Sequence, residues 1–205
     1  MLLRTVGVMP LLRSTCAVCG QAGAAVCDPC WRRLPPPPST RVRGVGPVPA
    51  LFAYDGAGAT VIGSLKFRDG RRVLTRCADA IADRVLDEMR TDDLVCAWLP
   101  TSARRRRERG FDQAELLARA VGRRLGCPVE GLLRRRPGAA QTGRTRSERA
   151  ENVRFSLARR RGVGIERLLV LDDVCTTGAT IRAARAAFDL LDLPDLRYFT
   201  IARTP

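Results

Sequence analysis

Residues 168–180 read Leu168-Leu169-Val170-Leu171-Asp172-Asp173-Val174-Cys175-Thr176-Thr177-Gly178-Ala179-Thr180. The four apolar residues at the start predict a strand buried on both faces, as in a parallel sheet. Two carboxylates follow at the carboxyl end of this strand, and a short loop leads into good helix formers from Ile181 to Phe188. This order predicts an α/β domain that binds a ligand at the carboxyl edge of its sheet.

The loop and the acid pair favour different parts of one ligand. A loop that begins a helix offers unpaired backbone N–H groups and hydroxyls to a phosphate, here from Thr176, Thr177, Gly178, Ala179 and Thr180. Asp172 and Asp173 would repel a phosphate, but they suit sugar hydroxyls or a metal ion. The stretch therefore predicts a ribose 5-phosphate site. The alternative is an ordinary core strand, an acidic turn and a capped helix; a Walker A loop is excluded because no Gly-Lys-Thr is present.

The charge of the chain is strongly positive and unevenly distributed. The 205 residues carry 36 basic and 21 acidic side chains, a net charge of +15, and no histidine, which excludes His-based catalysis and His metal sites. Residues 101–161 alone hold 18 arginines against 6 acidic residues. Such a surface favours polyanions. We expect no membrane span, no signal peptide and a cytoplasmic location, with reduced thiols.

Two C-x-x-C pairs lie near the amino terminus. Their cysteines are Cys16, Cys19, Cys27 and Cys30. Two pairs at this spacing favour a structural zinc site with four thiolate ligands, while two disulfides or two redox pairs are the alternatives. The run Pro35–Pro38 is a stiff spacer that predicts a boundary between residues 1–38, a zinc knuckle with its linker, and residues 39–205, the main domain.

Two further basic segments could lie beside the ligand. A second buried strand, Leu94–Leu99, is followed by a loop and by the arginine run 104–109, which is either a solvated face or a pyrophosphate-binding element. The long polar insertion 134–161 is a lid, a binding loop or a loose linker. Apolar spacing also predicts strands at 48–54, 129–133 and 196–201, and helices at 73–89 and 114–125.

The chain resembles the ComF family of type I phosphoribosyltransferase-like proteins. The resemblance rests on the four-cysteine knuckle, Leu65-Lys66-Phe67, Leu99-Pro100, Arg109-Gly110-Phe111-Asp112-Gln113 and residues 168–180. It implies a mostly parallel sheet flanked by helices, and Asp172 and Asp173 as ligands of the ribose hydroxyls of phosphoribosyl pyrophosphate (PRPP). It also implies pyrophosphate-binding residues at Lys66, Pro100, Thr101, Ser102, Arg104 and Arg109, and a lid containing Gln141, Arg144, Arg149 and Asn152. Asp112 departs from the family, which more often has asparagine there.

Two functions follow from these observations. The first is a phosphoribosyltransferase that uses PRPP with Mg²⁺, with Asp172 and Asp173 at its catalytic centre and an unspecified acceptor. The second is a binding module, without turnover, whose arginine face and knuckle contact single-stranded DNA. The family resemblance implies a link to DNA uptake in natural transformation and other DNA-uptake proteins as partners.

Overall fold

A computed structural model of the chain describes residues 14–39, 41–66, 70–136, 153–158, 164–191 and 193–205. The strands in these ranges are β1 (Arg41–Val42), β2 (Gly46–Pro47), β3 (Ala50–Ala53), β4 (Leu94–Trp98), β5 (Val129–Glu130), β6 (Leu133–Arg136), β7 (Arg154–Leu157), β8 (Arg167–Cys175) and β9 (Asp195–Arg203). The helices are α1 (Asp28–Arg32), α2 (Gly56–Ser64), α3 (Gly70–Glu88), α4 (Ala103–Arg109), α5 (Gln113–Leu125) and α6 (Ala179–Phe188).

The centre of the fold is a parallel sheet. Its strand order, within the described ranges, is β3-β9-β8-β4-β5, and every neighbouring pair is parallel. All five carboxyl ends therefore lie at one edge of the sheet, with β8 in the middle. The loops that follow β8 and β4 are neighbours at this edge, and the sequence-predicted site residues fall on both of them.

The sheet is buried on both faces, as the apolar run of β8 predicts. Leu169 and Leu171 pack in a cluster with α3 and α5, while Leu168 and Val170 pack on the opposite face with α6. Side chains alternate between the two faces of a strand, so a continuous apolar run fills both clusters. This sheet with helices on both faces confirms the predicted α/β class.

The cysteine segment packs directly on the main sheet. Cys16 and Val26 belong to the same apolar cluster as Phe52 of β3 and the buried face of α3. Arg76 of α3 donates hydrogen bonds to the Val26 carbonyl (2.9 Å) and to Asp28 (2.6 Å), and it lies over the ring of Trp31, 4.8 Å from the ring centre. The described part of the segment thus shares a core with the sheet, and the division at residue 38 stays a prediction.

Three details differ from the sequence-based expectation. The acid pair lies within β8, since pairing with β9 continues to Cys175. The arginine run folds as α4, which ends at Gly110 in the left-handed conformation (φ 78°). The strand predicted at 129–133 is two strands, because the chain leaves the sheet after β5 and starts the antiparallel hairpin β6-β7 within the polar insertion.

Candidate functional site

The acid pair forms the centre of the candidate site. Asp172 accepts the backbone N–H of Asp173 at 2.9 Å, and Asp173 accepts that of Val174 at 2.8 Å. Both residues keep partial exposure at the carboxyl edge of the sheet. Burial of the Asp172 carboxyl, followed by the negative charge of Asp173, raises the pKa of Asp172 well above its ordinary value. A carboxyl with a raised pKa at a sheet edge is a functional-site candidate that suits hydroxyls or a divalent cation.

The loop after β8 leads into the amino end of α6. Gly178 has φ 74° and stands at the N-cap of α6, where it has no side chain of its own to cap the helix. A side chain at Gly178 is excluded by space as well as by conformation, since its Cβ would lie 2.6 Å from Cγ1 of Val42. The Thr177 hydroxyl accepts the N–H of Ala179 at 3.3 Å. The exposed Thr176 and Thr177, with Thr180 partly exposed, complete a set of donors suited to phosphate.

The loop after β4 lies next to the acid pair. Leu99 donates its N–H to the carbonyl of Leu171 at 3.0 Å, which holds the start of this loop against β8 just before Asp172. Thr101 and Ser102 are partly exposed there, and Ser102 caps α4 by accepting the N–H of Arg105 at 3.2 Å. The predicted pyrophosphate-binding residues Pro100, Thr101 and Ser102 are thus brought beside the acid pair.

The two arginines predicted to bind pyrophosphate, Arg104 and Arg109, make no described contact with the acid pair. Arg104 is exposed and pairs with Glu108 at 2.7 Å, and this hydrogen bond raises the pKa of Arg104. Arg109 is partly buried at the last turn of α4. The described contacts therefore do not direct the Arg104 side chain towards the acid pair.

Asp112 is a supporting residue that sequence reasoning missed. It is 4% exposed, accepts the N–H of Thr101 at 2.8 Å through Oδ2, and accepts the N–H of Ala114 at 3.2 Å through Oδ1. One carboxylate thus fixes the loop after β4 to the start of α5. Burial raises the pKa of Asp112, and the backbone N–H donors oppose this effect. An aspartate immediately before a helical pattern is an N-cap signal that could have identified it.

Lys66 lies in the same region, because the residue before it, Leu65, contacts the start of α5. Gln113, the residue after Asp112, is buried and places its Nε2 3.5 Å from the carbonyl oxygen of Leu65. Lys66 follows at the end of α2 and is exposed. The structure therefore places Lys66 near the start of α5, on the side of the loop after β4.

Arg135 is a second residue that sequence reasoning did not single out. It is partly buried in β6, directly opposite Phe155 of β7, and its guanidinium lies 5.9 Å from the centre of the Phe155 ring. Burial lowers the pKa of Arg135, the positive charge of Arg105 lowers it further, and the negative charges of Asp172 and Asp112 oppose both. The charge of Arg135 in the hairpin thus interacts with those of Asp172 and Asp112. The predicted lid residues Gln141, Arg144, Arg149 and Asn152 lie outside the described residues.

The four predicted cysteine ligands form one cluster. The sulfur atoms of Cys16, Cys19, Cys27 and Cys30 all lie within 4.8 Å of one another. The sulfurs of Cys19 and Cys27 are 3.8 Å apart, close to the roughly 3.8 Å edge of a tetrahedron with Zn–S bonds of about 2.3 Å. The cluster could therefore bind a metal such as zinc.

Hydrogen bonds change the pKa values of two thiols of this cluster in opposite directions. The N–H of Cys27 points at the sulfur of Cys16, 3.4 Å away. Burial by itself would raise the pKa of the Cys16 thiol, but N–H groups of Cys19, Cys27 and Val18 outweigh it and lower the pKa to about 6. A hydrogen bond with the Cys27 sulfur raises the pKa of Cys30 to about 12. A divalent cation among the sulfurs would hold all four as thiolates.

Comparison with known proteins identifies relatives over most of the chain. The competence protein ComFC of Bacillus subtilis is 26% identical over 198 residues, covering 92% of this chain and 78% of that protein. ComFC of Streptococcus pneumoniae is 29% identical over 155 residues (75% and 67%), and the DNA utilization protein YhgH of Salmonella typhimurium is 29% identical over 175 residues (82% and 74%). The chain is a homologue of the ComFC and YhgH proteins. No family model matches it.

Two solved structures are similar to part of the chain. A hypothetical protein from Neisseria gonorrhoeae with bound ppGpp matches at TM-score 0.43 and 12% identity, covering 64% of this chain and 67% of that chain. Adenine phosphoribosyltransferase from Leishmania tarentolae matches at TM-score 0.40 and 15% identity, covering 64% of this chain and 70% of that chain.

In the described part of the chain, none of the helices combines the length and hydropathy that crossing a bilayer requires.

Proposed function

We infer that this chain is a phosphoribosyltransferase-like protein that binds PRPP or a related ribose 5-phosphate ligand and acts in DNA uptake or utilization. The observation that carries the proposal is the position of Asp172 and Asp173, between the start of α6 and the loop after β4. The start of α6 suits a 5-phosphate, the acid pair suits ribose hydroxyls, and the loop after β4 suits the leaving group. The names of the ComFC and YhgH relatives support the biological setting.

The reaction class that fits this arrangement is transfer of a ribosyl 5-phosphate group. The bond from ribose C1 to the diphosphate breaks, an acceptor atom bonds to C1, and the acceptor loses a proton. Positive charge develops on the ribose ring, so carboxylates fixed beside it stabilise the transition state more than the ground state. Mg²⁺, when bound with PRPP, supplies positive charge to the diphosphate. Asp172 and Asp173 would hold the ribose, and backbone donors of residues 176–180 would hold the 5-phosphate.

The cysteine cluster would have a structural role in this proposal. It is centred on residues that pack into the core beside β3 and α3. A bound zinc would replace apolar contacts that so short a segment cannot make. We therefore propose one structural zinc per chain, held by the four thiolates.

Isothermal titration with PRPP and Mg²⁺ tests the ligand. We expect binding by the unmodified protein and its loss in the double variant Asp172→Asn/Asp173→Asn. Asp195→Asn is the matched control, because it makes the same change at the amino end of β9, at the opposite edge of the sheet. Equal binding by all three proteins, or none by any, would refute the proposal. A screen of purine, pyrimidine and nucleic-acid acceptors for PRPP-dependent release of pyrophosphate would then define the reaction.

A second candidate function is binding of single-stranded DNA without turnover. It is favoured by the four exposed arginines of α4, Arg104 to Arg107, next to the site. Contacts to phosphates make affinity fall with salt, with a slope of about −0.7 per phosphate contact on single strands. We expect Arg105→Gln/Arg107→Gln to flatten this slope by about one to two units if α4 binds DNA. An affinity that does not change with salt would refute this function.

A further inference from the structure

Cys96 and Cys127 form a close pair of thiols that does not belong to the four-cysteine cluster. Their sulfur atoms are 3.3 Å apart, although the two residues lie 31 positions apart in the chain. A disulfide bond is about 2.0 Å long, so a movement of roughly 1 Å brings the two sulfurs to bonding distance. Both cysteines are free thiols in the structure. The fold therefore holds two thiols ready to be joined.

Hydrogen bonds fix the backbone on both sides of this thiol pair. Cys96 lies in β4 and donates its N–H to the carbonyl of Pro128, the residue after Cys127, at 2.9 Å. Cys127 donates its own N–H to the carbonyl of Gly122 in α5, at 3.0 Å. Glycine is needed there, because a Cβ at position 122 would collide with the side chain of Val129. The close approach of the two sulfurs is thus built into the packing of α5 on β4 and β5.

The two thiols differ in exposure and in acidity. Cys96 is fully buried, whereas Cys127 is partly exposed. The hydrogen bond between the two thiols lowers the pKa of Cys127, and the same bond together with burial raises the pKa of Cys96. The thiolate is the form that attacks a disulfide, and the attack also needs access. Cys127 is therefore the thiol that meets an oxidant, and Cys96 stands behind it.

The pair joins the two ends of the segment that carries the loop after β4. Between Cys96 and Cys127 the chain passes through this loop, α4 and α5. The segment contacts β8 just before Asp172, through the hydrogen bond from Leu99 to Leu171. A covalent link between its ends restricts the unfolded segment more than the folded one, so it favours the folded form.

We propose that Cys96 and Cys127 are an oxidation site, which closes to an intramolecular disulfide when the protein meets a small-molecule disulfide such as oxidised glutathione. The Cys127 thiolate attacks one sulfur of the oxidant, whose S–S bond breaks and releases one thiolate. Cys96 then loses its proton and attacks the Cys127 sulfur of this mixed disulfide, and the second thiolate leaves. The two cysteines lose two electrons and two protons, and the oxidant becomes two thiols. This proposal is independent of the proposed ligand.

Peptide mapping of the full chain tests whether the link forms. Zinc-loaded protein is treated with oxidised glutathione, its free thiols are alkylated, and it is cleaved with trypsin without reduction. The tryptic peptides 91–104 and 125–134 each contain a single cysteine, Cys96 and Cys127. We expect these two peptides to be joined, and to separate after reduction with dithiothreitol. Peptides that stay separate, or that are linked to a cysteine of the four-cysteine cluster instead, would overturn the proposal.

Variants of the two cysteines test the order of attack. Cys96→Ala lacks the second thiol, so we expect Cys127 to accumulate as a mixed disulfide with glutathione. Cys127→Ser lacks the accessible thiol, so we expect the buried Cys96 to stay reduced. Cys77→Ala is the matched control, because it removes another fully buried cysteine and should leave the link intact. Glutathione on Cys96 of Cys127→Ser, or an unmodified Cys127 in Cys96→Ala, would overturn the order of attack.

Thermal unfolding with zinc present measures what the link does to the fold. We expect the oxidised protein to unfold about 4–12 °C above the reduced protein, because the link closes a long loop. This rise should be absent in Cys127→Ser and present in Cys77→Ala, at equal zinc content. Cys127→Ser changes a partly exposed position, so it keeps the test valid if Cys96→Ala does not fold. A linked protein that is no more stable, or a rise that persists in Cys127→Ser, would overturn the stabilising role of the pair.

Discussion

Asp172→Asn is expected to stabilise the protein while it disables the site. Asn keeps an Oδ1 atom that can accept the backbone N–H of Asp173, now 2.9 Å from Asp172, so the local hydrogen bond survives. The substitution removes the cost of burying a negative charge and the repulsion from Asp173, the two main reasons that the pKa of Asp172 is raised. It also removes a weaker attraction to Arg135.

The size of the effect depends on pH in a defined direction. The folded-state pKa of Asp172 lies above its ordinary value of 3.8, so the folded protein holds this proton more tightly than the unfolded chain does. The Asp172 contribution to folding therefore becomes less favourable as pH rises from about 4 through the folded-state pKa. When the folded-state and unfolded-state pKa values differ by one, the free energy of unfolding changes by about 1.4 kcal/mol. We expect Asp172→Asn to be more stable than the unmodified protein at neutral pH, by about 1.4 kcal/mol for each unit that separates the two pKa values.

Denaturant unfolding from pH 4 to 8, with reducing agent and zinc present, measures this gain. The difference between variant and unmodified protein should be small near pH 4 and should grow with pH; at neutral pH the melting temperature should rise by about 2–4 °C for each kcal/mol gained. Asp195→Asn is the control, since it removes a partly exposed partner of Arg197 and should cost less than about 1 kcal/mol. A difference that is independent of pH, or a less stable Asp172→Asn at every pH, would refute the reasoning.

Three further predictions concern the elements around this pair. Gly178→Ala should lower the free energy of unfolding by about 1–3 kcal/mol and lose most of the 5-phosphate affinity, because φ is positive and the new Cβ would meet Val42. Gly126→Ala has a similar φ but open space around it, so it should lose only about 1 kcal/mol. Equal losses in the two variants would contradict the steric argument. Metal analysis should find one zinc per purified chain, and Cys16→Ser should lower both zinc content and unfolding temperature; full stability without metal would contradict a structural site. Asp112→Asn should cost about 1–2 kcal/mol, since the Thr101 and Ala114 N–H groups donate to different oxygens and Asn replaces one of these with an NH2 donor. Hydrogen exchange should become faster at the Thr101 amide, and unchanged exchange there would refute the coupling.

The sequence predicts best what is contiguous along the chain. The apolar run, the acid pair, the loop and the helix of residues 168–188 follow one another, so their order fixes their relative positions within one β-loop-α unit. The four cysteines lie within one short segment, and their convergence is confirmed for the same reason. The sequence did not predict that the arginine run folds as the helix α4, because a series of arginines shows no apolar period.

The remainder of the site depends on which strands are neighbours, and no local pattern encodes this. Thr101 lies beside Asp172 only because β4 pairs with β8, and Arg135 lies over Phe155 only because β6 pairs with β7 in one particular register. A register shift by one residue would turn Arg135 outward and Arg134 inward, with the same sequence and the same composition. The hydrophobic pattern of a strand of Leu133 followed by three arginines cannot choose between these registers. The choice is made by Phe155 and Leu157, which pack against the apolar cluster under α6 and fix which arginine lies opposite Phe155.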